Sequence, residues 1–199
     1  MDTDELIAAL AADDTPATPP HLVRRMLAGA VVSAVLMAAF WGIRPDWIAA
    51  VQTAPVLVKQ TLPAVIGLFA IFMLAKGPEG RRSLWVFGAI AAAAALAWGA
   101  AMLAGGDMMG TSVSACLASI PALAIPMGVP LFLGLRHRIE PRPARTGTIA
   151  GILAGAASAT IYAIHCDEDS AAFFLLWYGV AIAACGLAGR LAGGRWLGV

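Results

Sequence analysis

The sequence predicts an all-α protein: a six-helix transmembrane bundle with a short N-terminal cytoplasmic helix. Three observations lead there. The 199 residues are 60% apolar and 13% charged, with a mean hydropathy of +0.82, far above a soluble domain of this size. The chain holds six apolar runs of about 20 residues, the length a helix needs to cross roughly 30 Å of hydrocarbon that offers no partner to an unpaired amide. The basic residues gather in every second connection between those runs, and so on one side of them.

The N-terminal segment comes first. Asp2 and Glu5 stand at capping-box spacing, and Leu6, Ile7 and Leu10 share one face of a helix over residues 2–12. Three turns are too few to be stable alone in water, so this helix needs a surface on which to fold. Asp2, Asp4, Glu5, Asp13 and Asp14 are its charges, with no basic residue before Arg24, and anionic lipid repels such a segment. Pro16, Pro19 and Pro20 form a stiff tether to the first span. An acidic amphipathic helix on a tether is suited to capture a basic cytoplasmic protein.

The six spans are expected near 26–43, 56–75, 84–104, 113–135, 146–164 and 171–189. This divides the chain into a cytoplasmic helix and linker over 1–23, a membrane domain over 24–190 and a tail over 191–199. Arg24, Arg25, Lys76, Arg81, Arg82, Arg136, Arg138, Arg142, Arg145, Arg190 and Arg195 fall on one side, and only Arg44 and Lys59 on the other. That bias puts both termini in the cytoplasm, as expected for a multi-pass protein of a bacterial inner membrane. Trp41, Trp47, Trp177 and Tyr178 lie where an outer interfacial belt belongs. The first span is too long for a signal h-region and follows an acidic segment, so it is expected to stay as a helix.

Within the spans there is little chemistry. The scarcity of intramembrane charge argues against a pump or an ion-coupled transporter. Lys59 either snorkels to the outer interface or takes part in a structural ion pair or gate. Gly147, Gly151, Gly155 and Ala159 put small residues on one face of the fifth span, where another helix can approach closely. Pro121, Pro126 and Pro130 are expected to bend the fourth. His21, His137 and His165 are scattered, and the phosphate-loop, dinucleotide and metalloprotease motifs are absent, so the chain reads as a non-enzyme that requires no cofactor.

Of the three cysteines, Cys185 falls in the inner half of the sixth span and reads as a small buried hydrophobe. Cys116 and Cys166 fall toward the outer side, which in a bacterium is oxidising. His165, Cys166, Asp167, Glu168 and Asp169 run consecutively. The three acids are expected to raise the Cys166 pKa, which disfavours a fast nucleophile. Three readings of the pair stay open: two small buried hydrophobes, a disulfide, or capture of a soft ion such as zinc, cadmium or copper by Cys116, Cys166 and His165. Asp169 or Ser170 is expected to cap the sixth span.

Several segments together resemble one family. They are Asp4 to Ile7 with Leu10 to Asp13; Arg44, Pro45 and Asp46; Lys59; Cys116 to Pro121; His165 to Ser170; and Trp177, Tyr178 and Gly179. In these the chain resembles the NrsF family, negative regulators of sigma F, six-helix inner-membrane anti-sigma factors. The resemblance implies that an extracytoplasmic-function sigma factor is held at the membrane and kept from core polymerase, with no direct contact to nucleic acid. It implies sigma contacts from Asp4, Glu5, Leu6, Ile7, Leu10 and Asp13. It also implies that Cys116 and Cys166, with His165, Glu168 and Asp169, sense stress outside the cytoplasm. The sequence leaves the oligomeric state open. The competing expectation is a small thiol-redox or metal-handling membrane enzyme that uses the same cysteines.

Overall fold

The computed structural model describes residues 2–12, 22–76, 82–137 and 140–197. Among them are eight helices and no strand: α1 (Thr3–Ala11), α2 (Leu22–Phe40), α3 (Trp47–Ala50), α4 (Ala54–Lys76), α5 (Arg82–Leu103), α6 (Val113–Leu135), α7 (Pro143–Tyr162) and α8 (Ala171–Trp196). The architecture is all-helical. Four of these helices, α4, α5, α6 and α8, are long and apolar enough to cross a membrane. The other two long helices expected to span, α2 and α7, do not meet that measure among the described residues. For α7 the reason lies in its place in the fold. It is rich in Gly, Ala, Ser and Thr because it packs against other helices on most sides, where small side chains matter more than apolarity.

Short connections lay the long helices up and down, with α7 in the middle. It packs on α8 most extensively, and on α4, α6 and α2, while α2 also lies along α6 and α5 packs mainly on α8, with Phe87 against Phe69 of α4. The α7–α8 seam is made by glycine. A side chain on Gly147 would strike the backbone of Gly189 and Gly193, and one on Gly151 the backbone of Cys185 and Gly186. The small-residue face expected on the fifth span is therefore a packing face, and Cys185, on the facing surface of α8, is buried against Gly151 and Gly155.

Pro121, Pro126 and Pro130 all lie inside α6, which remains one continuous helix. Pro130 has no N–H to give the Pro126 carbonyl, and Gly29 of α2 packs directly against that oxygen. Two buried serines tie neighbouring helices to α6: Ser33 Oγ donates to Leu123 O at 2.8 Å and Ser158 Oγ to Ile120 O at 2.8 Å. Two boundaries differ from the sequence reading. A short helix, α3, occupies the turn after α2, and α8 runs on to Trp196, so most of the expected tail is helix.

Candidate functional site

The end of the bundle where α2 and α7 finish and α6 and α8 begin gathers the buried polar chemistry. Cys116 lies in the first turn of α6 and Cys166 in the turn between α7 and α8, both buried and both free. Both residues belong to one buried cluster with Tyr162 and Tyr178. Tyr162 and Tyr178 close the pocket around them, their rings edge to face at 6.4 Å. The Tyr178 hydroxyl is buried beside Cys166 and has no oxygen or nitrogen partner among the described residues. Tyr178 and the half-buried Trp177 therefore turn inward, whereas the sequence reading put both in an interfacial belt.

Beside the thiols lies a charge network that the sequence reading did not assemble. Lys59 of α4 is fully buried. Its ammonium gives all three of its hydrogens away: to Cys166 O at 2.8 Å, Glu168 O at 3.1 Å and Asp169 Oδ1 at 2.6 Å. Of the two expectations for Lys59 the ion pair is the one formed, because full hydrogen bonding to an acid and two carbonyls offsets the cost of removing the charge from water. Arg44 forks onto Asp46 with two bonds of 2.8 Å and reaches Asp169 at 2.9 and 3.1 Å and Cys166 O at 3.3 Å. The signal in the sequence was the pairing of signs: a lone Arg44 and Lys59 on the side that holds the acidic run.

The remaining acids are also occupied. Glu168 Oε1 accepts from Thr111 N at 2.6 Å and Thr111 Oγ1 at 2.9 Å. Ser170 Oγ donates to Asp107 O and Trp177 Nε1 to Met108 O, so the α5–α6 loop is pinned over the site from three sides. Gly110 makes this approach with a left-handed φ of +48°, its backbone pressed against Glu168 and Phe173. The expected cap on α8 is not made. Ser170 takes the N-cap position but bonds to the loop, and Asp169 is held by Arg44 and Lys59.

His165 does not join the thiols. Its Nδ1 lies 3.2 Å from Gly42 O, and its ring tilts on Tyr162 at 5.6 Å. Among the described residues no three His, Cys, Asp or Glu side chains converge as metal ligands. The set expected to take zinc, cadmium or copper, Cys116, Cys166 and His165, is thus not assembled among the described residues.

Electrostatics here follow from these contacts. Hydrogen bonds from Arg44 hold Asp46 below the ordinary carboxylate range. Burial opposes the charge on Asp169, but the bonds from Arg44 and Lys59 outweigh it and its pKa is also lowered. The same partners, Asp46 first, raise the Arg44 pKa. Cys166 is lowered to about 6: a hydrogen bond from Cys116 stabilises its thiolate against desolvation, and the Lys59 charge adds to it. This reverses the sequence expectation of a raised value, because the hydrogen bond from Cys116 and then the Lys59 charge favour the thiolate more than burial opposes it.

Cys166 should therefore be mostly thiolate at pH 7 and lose that charge as pH falls through about 6. Lys59→Met should move the midpoint upward by about one unit, and Cys116→Ala by more, because each removes a group that favours the anion. Ultraviolet titration of the full chain, with Cys166→Ser as blank, reads this directly. An unmoved midpoint in both variants would show that neither neighbour sets it.

At the other end of the chain, α1 caps itself. Thr3 N donates to Asp2 Oδ1 at 2.7 Å and Asp2 N to Glu5 Oε2 at 3.3 Å, the capping box expected from the spacing. Asp4, Glu5 and Ile7 are exposed, Ile7 at 59%. The side chains of Leu6 and Leu10, and Asp13 altogether, lie outside the described residues.

A sequence model of the family described as negative regulator of sigma F matches residues 10–198. The anti-sigma-F factor NrsF of Caulobacter vibrioides (strain NA1000 / CB15N) is 33% identical to this chain over 99% of both. The probable anti-sigma-F factor NrsF of Azospira oryzae is 28% identical over 89% of this chain and 90% of its own length. No solved structure matches.

Proposed function

The chain belongs to the NrsF family of negative regulators of sigma F, and from that premise we propose that it is a six-span inner-membrane anti-sigma factor whose helix α1 holds an extracytoplasmic-function sigma factor. The observation that carries this reading is α1 itself: a self-capped acidic helix that exposes Ile7 and, among the described residues, is absent from the main helix-to-helix packing of the bundle. Sigma factors present basic surfaces to polymerase and DNA, and an acidic amphipathic helix complements one of them. The excess of Lys and Arg at the end of the bundle where α2 begins supports a cytoplasmic location for that end and an outer one for the Cys116–Cys166 end.

On this reading the thiol pair is the sensor. The Cys166 thiolate attacks an oxygen of a peroxide and becomes a sulfenic acid, with hydroxide or an alcohol leaving. The Cys116 thiol then attacks that sulfur, water leaves, and a disulfide joins α6 to the α7–α8 turn. The turn is the same segment that Lys59 and Arg44 hold by its carbonyls and by Asp169. Drawing Cys116 onto it strains the junction of four helices, and the second arrangement of the bundle is the one that lets the sigma factor go.

The test is co-purification of the sigma factor with the full chain in detergent, before and after peroxide. Wild type should retain the sigma factor when reduced and release most of it when oxidised, whereas Cys116→Ser and Cys166→Ser retain it in both states. Absence of any co-purifying sigma factor overturns the anti-sigma reading. Release from both variants as from wild type removes the thiols from it.

A further inference from the structure

A long apolar groove of about 1100 Å³ runs between α6 and α8 on the face away from α2 and α4. Ile125, Gly128 and Phe132 line one wall, Ala184, Ala188 and Ala192 the other, and the α7 glycine seam forms its floor. It begins near Pro121 and ends at Arg136. At 1.5 Å per residue that is roughly 22 Å, more than one leaflet of a hydrocarbon core of about 30 Å. Only its Arg136 end is charged. There Arg136 and Arg195 are both exposed, neither meets an acid among the described residues, and Trp196 stands beside them at 67% exposure.

We propose that this groove binds one anionic phospholipid of the inner leaflet, its acyl chain between α6 and α8 and its phosphate on Arg136 and Arg195. The inference rests on the membrane orientation proposed above. An acyl chain matches the groove in length and polarity, and paired guanidiniums at the headgroup level match a phosphate. Trp196 sits at the same level, where an indole favours the interface. A second copy of this chain fits less well. A two-fold axis along the membrane normal would bring residues of equal depth together, setting Arg136 and Arg195 against the same arginines. The lipid would also fill the space into which α8 could move when the opposite end is strained, so its presence favours one arrangement of the bundle.

Native mass spectrometry of the full chain from detergent, with added phosphatidylglycerol or phosphatidylcholine of identical chains, tests this. Wild type should keep one phosphatidylglycerol and little phosphatidylcholine. Arg136→Ala with Arg195→Ala should weaken phosphatidylglycerol retention about thirtyfold, taking each basic group near an anionic headgroup as worth about fivefold. Ala188→Phe, which fills the groove and keeps both charges, should abolish the adduct. Equal retention of the two lipids, or retention unchanged in both variants, overturns the proposal, as does a dimer that Ala188→Phe dissociates. Carbonate extraction of the same proteins is the separate check on membrane insertion: a chain washed off the membrane fails the orientation reading, whereas an inserted chain without the adduct fails the groove alone.

Discussion

Deleting residues 2–12 should abolish sigma inhibition outright and leave the helical bundle intact. Transcription from a promoter served by the sigma factor should rise to the level of a strain lacking the protein, while the truncated chain accumulates and inserts as wild type does. The asymmetry follows from packing. Among the described residues the exposed face of α1 and its capping box take no part in the main packing of α2–α8, so its removal is expected to cost the fold little. On the proposed reading the same face supplies most of the recognition of the sigma factor. Burying one Ile side chain is worth about 1.5–3 kcal/mol, so Ile7→Ala alone should weaken sigma binding roughly thirtyfold. Asp4→Asn with Glu5→Gln should slow association and flatten its dependence on salt, because these charges steer the encounter more than they hold the complex. Full inhibition by the truncated protein would move the sigma site to the loops of the bundle.

The second large effect is expected at the α7–α8 seam. Gly151→Leu should destabilise the bundle by 3 kcal/mol or more, read as a lowered midpoint of detergent or thermal unfolding. Overfilling a packed interior usually costs about 1–3 kcal/mol, and more where nothing can yield. At Gly151 nothing can. A Cβ there meets the backbone carbonyl of Cys185, its carbon at 2.9 Å and the Gly186 Cα at 3.1 Å, and no flexible side-chain end is among them. The helices must part, and with them goes the junction that carries Cys166. Gly99→Ala is the control, since a Cβ at Gly99 has nothing within 4 Å. That substitution should be neutral or stabilising by up to about 1 kcal/mol, the helix-propensity difference between the two residues. A Gly151→Leu protein as stable as Gly99→Ala would show that the close seam is dispensable.

Much of this was visible in the order of residues. Asp2 and Glu5 announced a capping box, and it formed because both groups lie within one helical turn and need no other element. Gly147, Gly151 and Gly155 announced a packing face for the same reason: their spacing fixes a common side whatever lies opposite. Which helix would lie opposite was not legible. The partner, α8, carries Cys185, Gly186, Gly189 and Gly193 on its own matching face.

Other expectations failed where distant segments met. Neighbouring acids were to raise the Cys166 pKa, but Cys116 first and then Lys59, 107 positions away in the chain and bonded to the Cys166 carbonyl, lower it. Asp169 and Ser170 were to cap α8, but Arg44, Lys59 and the Asp107 carbonyl hold them instead. His165 was to join a metal set and faces Gly42 O.

The sequence by itself determined the helical class, the apolar runs, the acidic leading helix and the family, because each rests on composition or on periodicity within one segment. Only the tertiary structure decided that Cys116 and Cys166 share one buried cluster, that Lys59 and Arg44 anchor the turn between α7 and α8, and that a groove with two arginines opens along α6. Those features depend on which helices become neighbours, and long-range packing chooses among partners that local spacing leaves equivalent.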